Sequence, residues 1–281
     1  MCQSSVNPFF FDPEHLDRLA ARHGDTYRQE RPVPHVVIDQ FLPEDVLEAV
    51  LSEFPAPDSI PWTSYRNARE QKLEASSDLH MGTQTRQLLS QLNSSVLLRF
   101  LERLTGIRGL IPDPHFNGGG LHQIKRGGFL KIHTDFNRHT HLNLDRRLNL
   151  LIYLNRDWQE SYGGHFELWD RTMTRCVKRI LPIFNRCVIF TTTDFSYHGH
   201  PDPLTCPEGW SRKSLALYYY TNGRPAEELT ASHSTVFRER PGEDLAGGLW
   251  ARWKERLKQF VPPIMVDLRR SLTRHSSTPT H

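Results

Sequence analysis

Residues 127–137 read GGFLKIHTDFN, and the reading of the whole chain turns on this stretch. The stretch alternates in character as a strand does. In a strand, residues i and i+2 point to the same side. The alternation therefore predicts Lys131, His133 and Asp135 on one face and Leu130, Ile132 and Thr134 packed on the other. An imidazole and a carboxylate side by side on a stiff strand suit two adjacent positions on one metal ion.

The pair by itself is a weak signal. With the histidine and aspartate content of the chain, chance alone gives about one His-x-Asp pair. The sequence holds three others, His15/Asp17, His23/Asp25 and His200/Asp202. Context separates them. The first two fall in a polar, helix-forming N-terminal stretch, where i and i+2 diverge. The last contains Pro201 and follows a strand end. Only His133/Asp135 sits inside a strand pattern.

Around that strand, short apolar runs bounded by turns recur at 121–125, 129–136, 147–155, 165–170, 175–181, 186–192 and 212–221. Almost no helical periodicity lies between them, so the segment reads as an antiparallel sandwich or barrel. Helices precede it. A short helix is expected at PEHLDRLAARHG, residues 13–24. Pro43-Glu44-Asp45 opens another whose apolar face is Val46, Leu47, Val50, Leu51 and Phe54. Residues 83–105 repeat leucines at helical spacing up to Gly106, a residue suited to ending a helix. Residues 244–260 return to helix, with Leu245, Leu249, Trp250, Trp253, Leu257 and Phe260 on one side, ahead of a basic and then Ser/Thr-rich tail.

Two further features bear on chemistry. SYHGHPDPL, residues 196–204, follows a buried-strand pattern and carries His198 and His200, either of which could supply a distal histidine to the His133/Asp135 pair. Two imidazoles and one carboxylate occupy one face of an octahedron and leave the rest open, the arrangement of non-haem Fe(II) sites. SRKSLALYYYT, residues 211–221, puts Arg212, Ser214, Ala216, Tyr218 and Tyr220 on one face. An arginine facing into a barrel is costly unless it meets an anion, and its fork suits a carboxylate.

HTDF, RRLNLLIYLNRDW, GGHFELWD, SYHGHPDPL and RKSLALYYYT together resemble the Fe(II)- and 2-oxoglutarate-dependent oxygenases, and within them the prolyl-4-hydroxylase-like branch. The likeness covers about residues 115–222, with PHVVIDQFLPEDVLEAVLSEFP, residues 34–55, similar as well. It implies a mainly β protein with flanking helices around a double-stranded β-helix, or jelly roll. On this reading residues 1–240 form the oxygenase domain, with β core about 115–222 and helical support about 42–105, and residues 241–281 are an appended helix and basic tail. The resemblance implies iron on His133, Asp135 and His198, and Arg212 and Tyr153 at the distal carboxylate of 2-oxoglutarate. Gln123 falls where relatives often carry a tyrosine near the co-substrate. With O2, such an enzyme hydroxylates an unactivated C–H bond and releases succinate and CO2. The retained Asp135 favours hydroxylation over halogenation.

The substrate is not legible: a protein side chain such as a prolyl, a free amino acid and a small metabolite all fit. Arg66, Asn117, Lys125, Asn137 and Arg138 lie near the motifs and read as ordinary solvated loop polarity. A binding module without chemistry would use the same fold but has no need of a complete ligand set and an inward arginine. A nucleic-acid demethylase is disfavoured by a net charge of only +3 and the lack of a basic, aromatic-interleaved patch. Four separated cysteines, Cys2, Cys176, Cys187 and Cys206, without metal spacing, and an N-terminus unlike a secretory leader, lead to an expectation of reduced thiols in the cytoplasm. No apolar run is long enough to span a bilayer.

Overall fold

The computed structural model describes residues 9–243. The helix expected over 244–260, the tail after it and Cys2 lie outside the described residues.

In chain order the elements are α1 (Pro13–Gln29), β1 (His35–Asp39), α2 (Glu44–Ser52), β2 (Thr63–Arg66), β3 (Glu70–Ala75), α3 (Thr83–Leu92), α4 (Ser95–Thr105), β4 (Ile111–Pro112), β5 (Gly120–Lys125), β6 (Phe129–Thr134), β7 (Asp145–Tyr153), β8 (Phe166–Trp169), β9 (Cys176–Ile180), β10 (Arg186–Thr191), β11 (His198–His200), β12 (Ser211–Thr221) and β13 (Val236–Phe237). The seven strands read from the sequence all form, within two residues at each end. The long helix expected over 83–105 is instead two. Asn93 and Ser94 break it, and the Ser94 side chain caps α4 by accepting from the Leu97 amide. A serine that can satisfy an orphaned amide competes with helix continuation, which leucine spacing alone does not reveal. Gly106 ends α4 at φ +78, as anticipated.

The strands hydrogen-bond in the order β1-β10-β7-β12-β5-β3-β6-β11-β8-β9, and every pairing is antiparallel. This continuous sheet curls over on itself as a jelly roll. Its two faces follow from strand alternation. Leu148, Leu150, Ile152, Cys187, Ile189, Leu215, Leu217 and Tyr219 face outward and meet the helices in one buried cluster with Leu88, Leu92, Phe100 and Leu104. Their sequence neighbours Tyr153, Val188 and Phe190 face inward and pack on Phe166 and Leu168 of the opposite layer. Burial of side chains of this size is favourable by roughly 1.5–3 kcal/mol each. That helical buttress packs behind β7, β10 and β12, and β7 and β12 form one wall of the interior cavity. The hairpin β2–β3, which had no sequence signal, adds between β5 and β6 and forms another. Tyr65, Glu70, Lys72 and Glu74 of the hairpin line that cavity, and Thr63, Ser64 and Arg66 are exposed.

Candidate metal centre

A cavity of about 340 Å³ opens into the jelly roll. His133, Asp135, His198, His200, Arg146 and Arg212 all line it. His133 and His198 stand directly opposite each other on β6 and β11. Their rings lie 4.4 Å apart. His133 Nε2 is 3.6 Å from Asp135 Oδ1, and His198 Nε2 is 3.4 Å from Asp135 Oδ2. One donor atom from each of the three residues falls within 4.8 Å of the others. Donors ~2.1 Å from a shared ion and at right angles to one another stand ~3 Å apart, so the set is of a size to close on one metal.

The hydrogen bonds around the imidazoles fit that use. His133 Nδ1 lies 2.9 Å from the Lys131 carbonyl, and His198 Nδ1 lies 2.8 Å from the Ser196 carbonyl. A carbonyl only accepts, so both Nδ1 atoms carry the proton and both Nε2 lone pairs face Asp135. Burial pushes His198 down to about 4, only partly opposed by Asp135, so its imidazole is neutral at pH 7. Burial also acts to raise Asp135, but the Arg146 guanidinium beside it leads the opposing interactions and holds the carboxyl well below its usual range. A neutral His198 imidazole and an ionised Asp135 carboxylate are protonation states in which both residues can bind a divalent cation.

Gly199 lets β11 come this close. A Cβ there would stand 2.7 Å from the Leu130 carbonyl oxygen. Any side chain at this position would push His198 away from His133.

Arg146 is the principal residue the sequence reading missed. It is 1% exposed, and its guanidinium carbon lies 3.5 Å from the Tyr218 ring centre and 4.4 Å from that of Phe136. Arg146 Nη2 lies 3.1 Å from Asp135 Oδ2, and the same oxygen accepts from Asn149 Nδ2 at 2.8 Å. Asn149 Oδ1 in turn accepts from Arg146 Nε and Nη2. The carboxylate is thus oriented by two donors that are themselves braced. Strict alternation from Asn149 would turn Arg147 inward and Arg146 outward. A bulge at Arg147 reverses this: Tyr219 faces Leu148 while Tyr220 faces Arg146.

A second bulge reshapes β6. His198 pairs with His133 but His200 pairs with Leu130, so one extra residue lies on β6 between them. Leu130 therefore faces the cavity, in place of the anticipated Lys131. Lys131 reaches out to the Pro201 carbonyl instead. Ile132 and Thr134 are buried on the far side as expected.

Arg212 is 4% exposed at the other part of the same cavity. Its Nε donates to the Gly164 carbonyl at 2.8 Å, and its Nη2 lies 3.3 Å from the Tyr153 hydroxyl. Among the described residues no carboxylate pairs with it. Burial accordingly lowers its pKa, with Tyr153 opposing only in part. A buried cation left in this condition is relieved by an anion entering the cavity. Both ring nitrogens of His200 and the Nη1 of Arg146 are likewise buried without partners on the cavity lining. These unpaired groups fit a site shaped for a polar, anionic guest.

Gln123 lies elsewhere. It pairs with Lys213, on the face opposite to Arg212, and its amide donates to Ser211 Oγ. Its neighbour His122 faces Ser214 and lines the metal cavity. Inward placement of Arg212 on β12 requires this, because Arg212 stands opposite Ile124 and the pleat then turns His122, not Gln123, to the same side. Asn117 also lines the cavity, whereas Arg66 and Lys125 border a separate surface cleft.

A pH dependence follows from the buried imidazoles. Burial pushes His122 and His198 down to about 4 and His200 well below its usual value. Their unfolded counterparts titrate at ~6.5. The unfolded chain thus binds protons first as pH falls, and the metal-free protein loses stability from about pH 6.5 to about pH 4. Thermal melting across that range is expected to show a falling midpoint, less steep in His200→Phe. A flat profile would contradict it.

Residues 119–220 match the model of the 2OG-Fe(II) oxygenase superfamily. Among solved structures, the chain is similar to a prolyl hydroxylase from Trichoplax adhaerens in complex with a hypoxia inducible factor peptide fragment, at 18% identity and a TM-score of 0.52, over 74% of this chain and 91% of that one. It is similar also to a prolyl 4-hydroxylase from Phytophthora capsici, at 21% identity and a TM-score of 0.50, over 78% of this chain and 69% of that one. At these identities the likeness concerns the fold, a double-stranded β-helix. No curated protein matches by sequence. The segment that matches the superfamily model runs from the strand before His133 to the strand that carries Arg212.

Proposed function

We propose that the chain is a hydroxylase in which His133, Asp135 and His198 hold ferrous iron and Arg212, with Tyr153, anchors the distal carboxylate of 2-oxoglutarate. The observation that carries this reading is the convergence of three donor atoms within 4.8 Å, in one cavity with a buried arginine that has no acidic partner. Bound iron with 2-oxoglutarate and O2 supplies an oxidant for an unactivated C–H bond, with succinate and CO2 as co-products. The protein's own part is orientation and charge. Asn149 and Arg146 fix the Asp135 carboxylate, the Lys131 and Ser196 carbonyls fix the imidazole tautomers, and Tyr153 holds the Arg212 fork in place. The low-dielectric walls exclude bulk water and strengthen each of these interactions.

Anaerobic addition of Fe(II) and then 2-oxoglutarate tests the reading. A visible charge-transfer band that requires both is expected, followed on exposure to air by succinate. Absence of the band at millimolar 2-oxoglutarate would overturn the assignment.

A further inference from the structure

Residues 230–240 run along β6 beside the cavity. Val236 and Phe237 form β13, which pairs with Thr134 and His133 on the edge of β6. The Arg238 amide continues the ladder to the Ile132 carbonyl at 2.8 Å. The Phe237 ring lies 5.5 Å from the His133 ring, and Thr235 lines the cavity itself. Both ends of the segment are tied down by side chains. Asn137 Nδ2 donates to Thr230 Oγ1 and to the Ala231 carbonyl, and Asn137 Oδ1 accepts from the His233 amide. His233 Nε2 is 3.0 Å from Asp194 Oδ1, and Arg240 pairs with both oxygens of Asp202. Asn137 sits in the loop after β6, and Asp194 and Asp202 flank β11, so the segment is held on both sides of the histidine pair.

This placement has a steric consequence. A polypeptide reaches a buried centre most simply by adding an extended segment to a free strand edge. Next to His133 that edge is already occupied by this chain's own β13. The volume behind it is about 340 Å³, and it must also hold the co-substrate. Pockets for whole small ligands span ~300–1,000 Å³, so the space here is at the lower limit. The wall from β2 and β3 is polar. Lys72 Nζ is shared between Glu74 at 3.2 Å and Glu70 at 3.7 Å, two carboxylates against one ammonium. Spare carboxylate lone pairs accept from hydroxyl or amino groups.

We propose that residues 230–240 are a standing wall of the active cavity and that the substrate is a small molecule bearing hydroxyl or amino groups, enclosed whole, not a side chain presented by a polypeptide. The proposal rests on the site reading above and names its substrate class.

The test uses ferrous protein and a wide, coloured chelator, bathophenanthroline disulfonate, which cannot reach the metal past an intact wall. In the wild type, iron transfer is expected to be independent of chelator concentration, because the metal must leave first. In Asn137→Ala/Arg240→Ala, which unties both ends and alters no cavity residue, transfer is expected to become proportional to chelator concentration and at least ~10-fold faster, through local opening. Arg240→Ala alone serves if the double variant does not fold. Proportional transfer in the wild type, or a folded variant that stays concentration-independent, would overturn the wall. In a second arm, synthetic peptides added to the wild type are expected to leave 2-oxoglutarate consumption at its unstimulated rate. Stimulation by a peptide would overturn the substrate class. Failure of the protein to take up Fe(II) at all would instead refute the metal assignment, which keeps the two readings separable.

Discussion

Asp135→Ala is expected to abolish 2-oxoglutarate turnover and to weaken ferrous binding by at least ~100-fold, since loss of an orienting group alone costs 10–100-fold in comparable sites and a ligand more. The same substitution strips Arg146 of its anion inside a site where it is 1% exposed. Removing one partner of such a pair costs ~3–5 kcal/mol. Asp135→Asn separates the two effects. It keeps the volume and a hydrogen bond toward Arg146, so it is expected to melt closer to the wild type while remaining inactive. The sign of the pH effect is fixed by the direction of the shift. Asp135 is held well below its usual range, so its contribution to stability is present above the unfolded value and lost as pH falls through the folded one. In Asp135→Asn that acid-side loss is expected to disappear. Undiminished succinate formation by either variant, measured with added Fe(II), would refute the metal role of this residue.

Arg212→Ala is expected to raise the 2-oxoglutarate requirement ~30–1,000-fold, the range set by a desolvated, charge-assisted carboxylate contact of ~2–4 kcal/mol. Iron affinity is expected to change little, because the hydrogen bonds of Arg212 run to Gly164 and Tyr153 and not to the His133/Asp135/His198 set. Stability of the metal-free protein gives an independent reading. Arg212 is a buried cation without an acidic partner and burial lowers its pKa, so its removal is expected to leave the melting midpoint unchanged or higher. A purely structural arginine would show the opposite: a lower midpoint and unaltered 2-oxoglutarate binding by calorimetry. That outcome would remove Arg212 from the co-substrate site.

Much of the architecture was legible because it depends on alternation. β12 alternates in character along the sequence, whereas the apolar runs of β7 and β10 mark strands packed on both faces, against the helices on one and Phe166 and Leu168 on the other. His133 and Asp135 were legible for the same reason, since an imidazole and a carboxylate two apart share a face, whereas the choice of His198 over His200 came from the resemblance. What escaped were places where the period of two is interrupted or irrelevant. The bulge at Arg147 turned Arg146 onto Asp135, and the bulge in β6 exchanged Lys131 for Leu130. Asn137, read as solvated polarity, proves to be 9% exposed and to clamp the segment beside the cavity. Nothing local marks it, because its partners Thr230, Ala231 and His233 lie more than ninety residues away.

Local periodicity in the sequence determined an antiparallel sandwich or barrel preceded by helices and put His133 and Asp135 on one strand face, while the jelly roll and the full iron set were implied by the resemblance to the oxygenases. Only the tertiary structure decided which arginine braces the carboxylate, that His122 and not Gln123 faces the cavity, and that β13 takes the strand edge beside His133. The reason is common to all three. A face is set by the register between strands, and a single bulged residue or one distant strand pairing reverses it at no visible cost in composition.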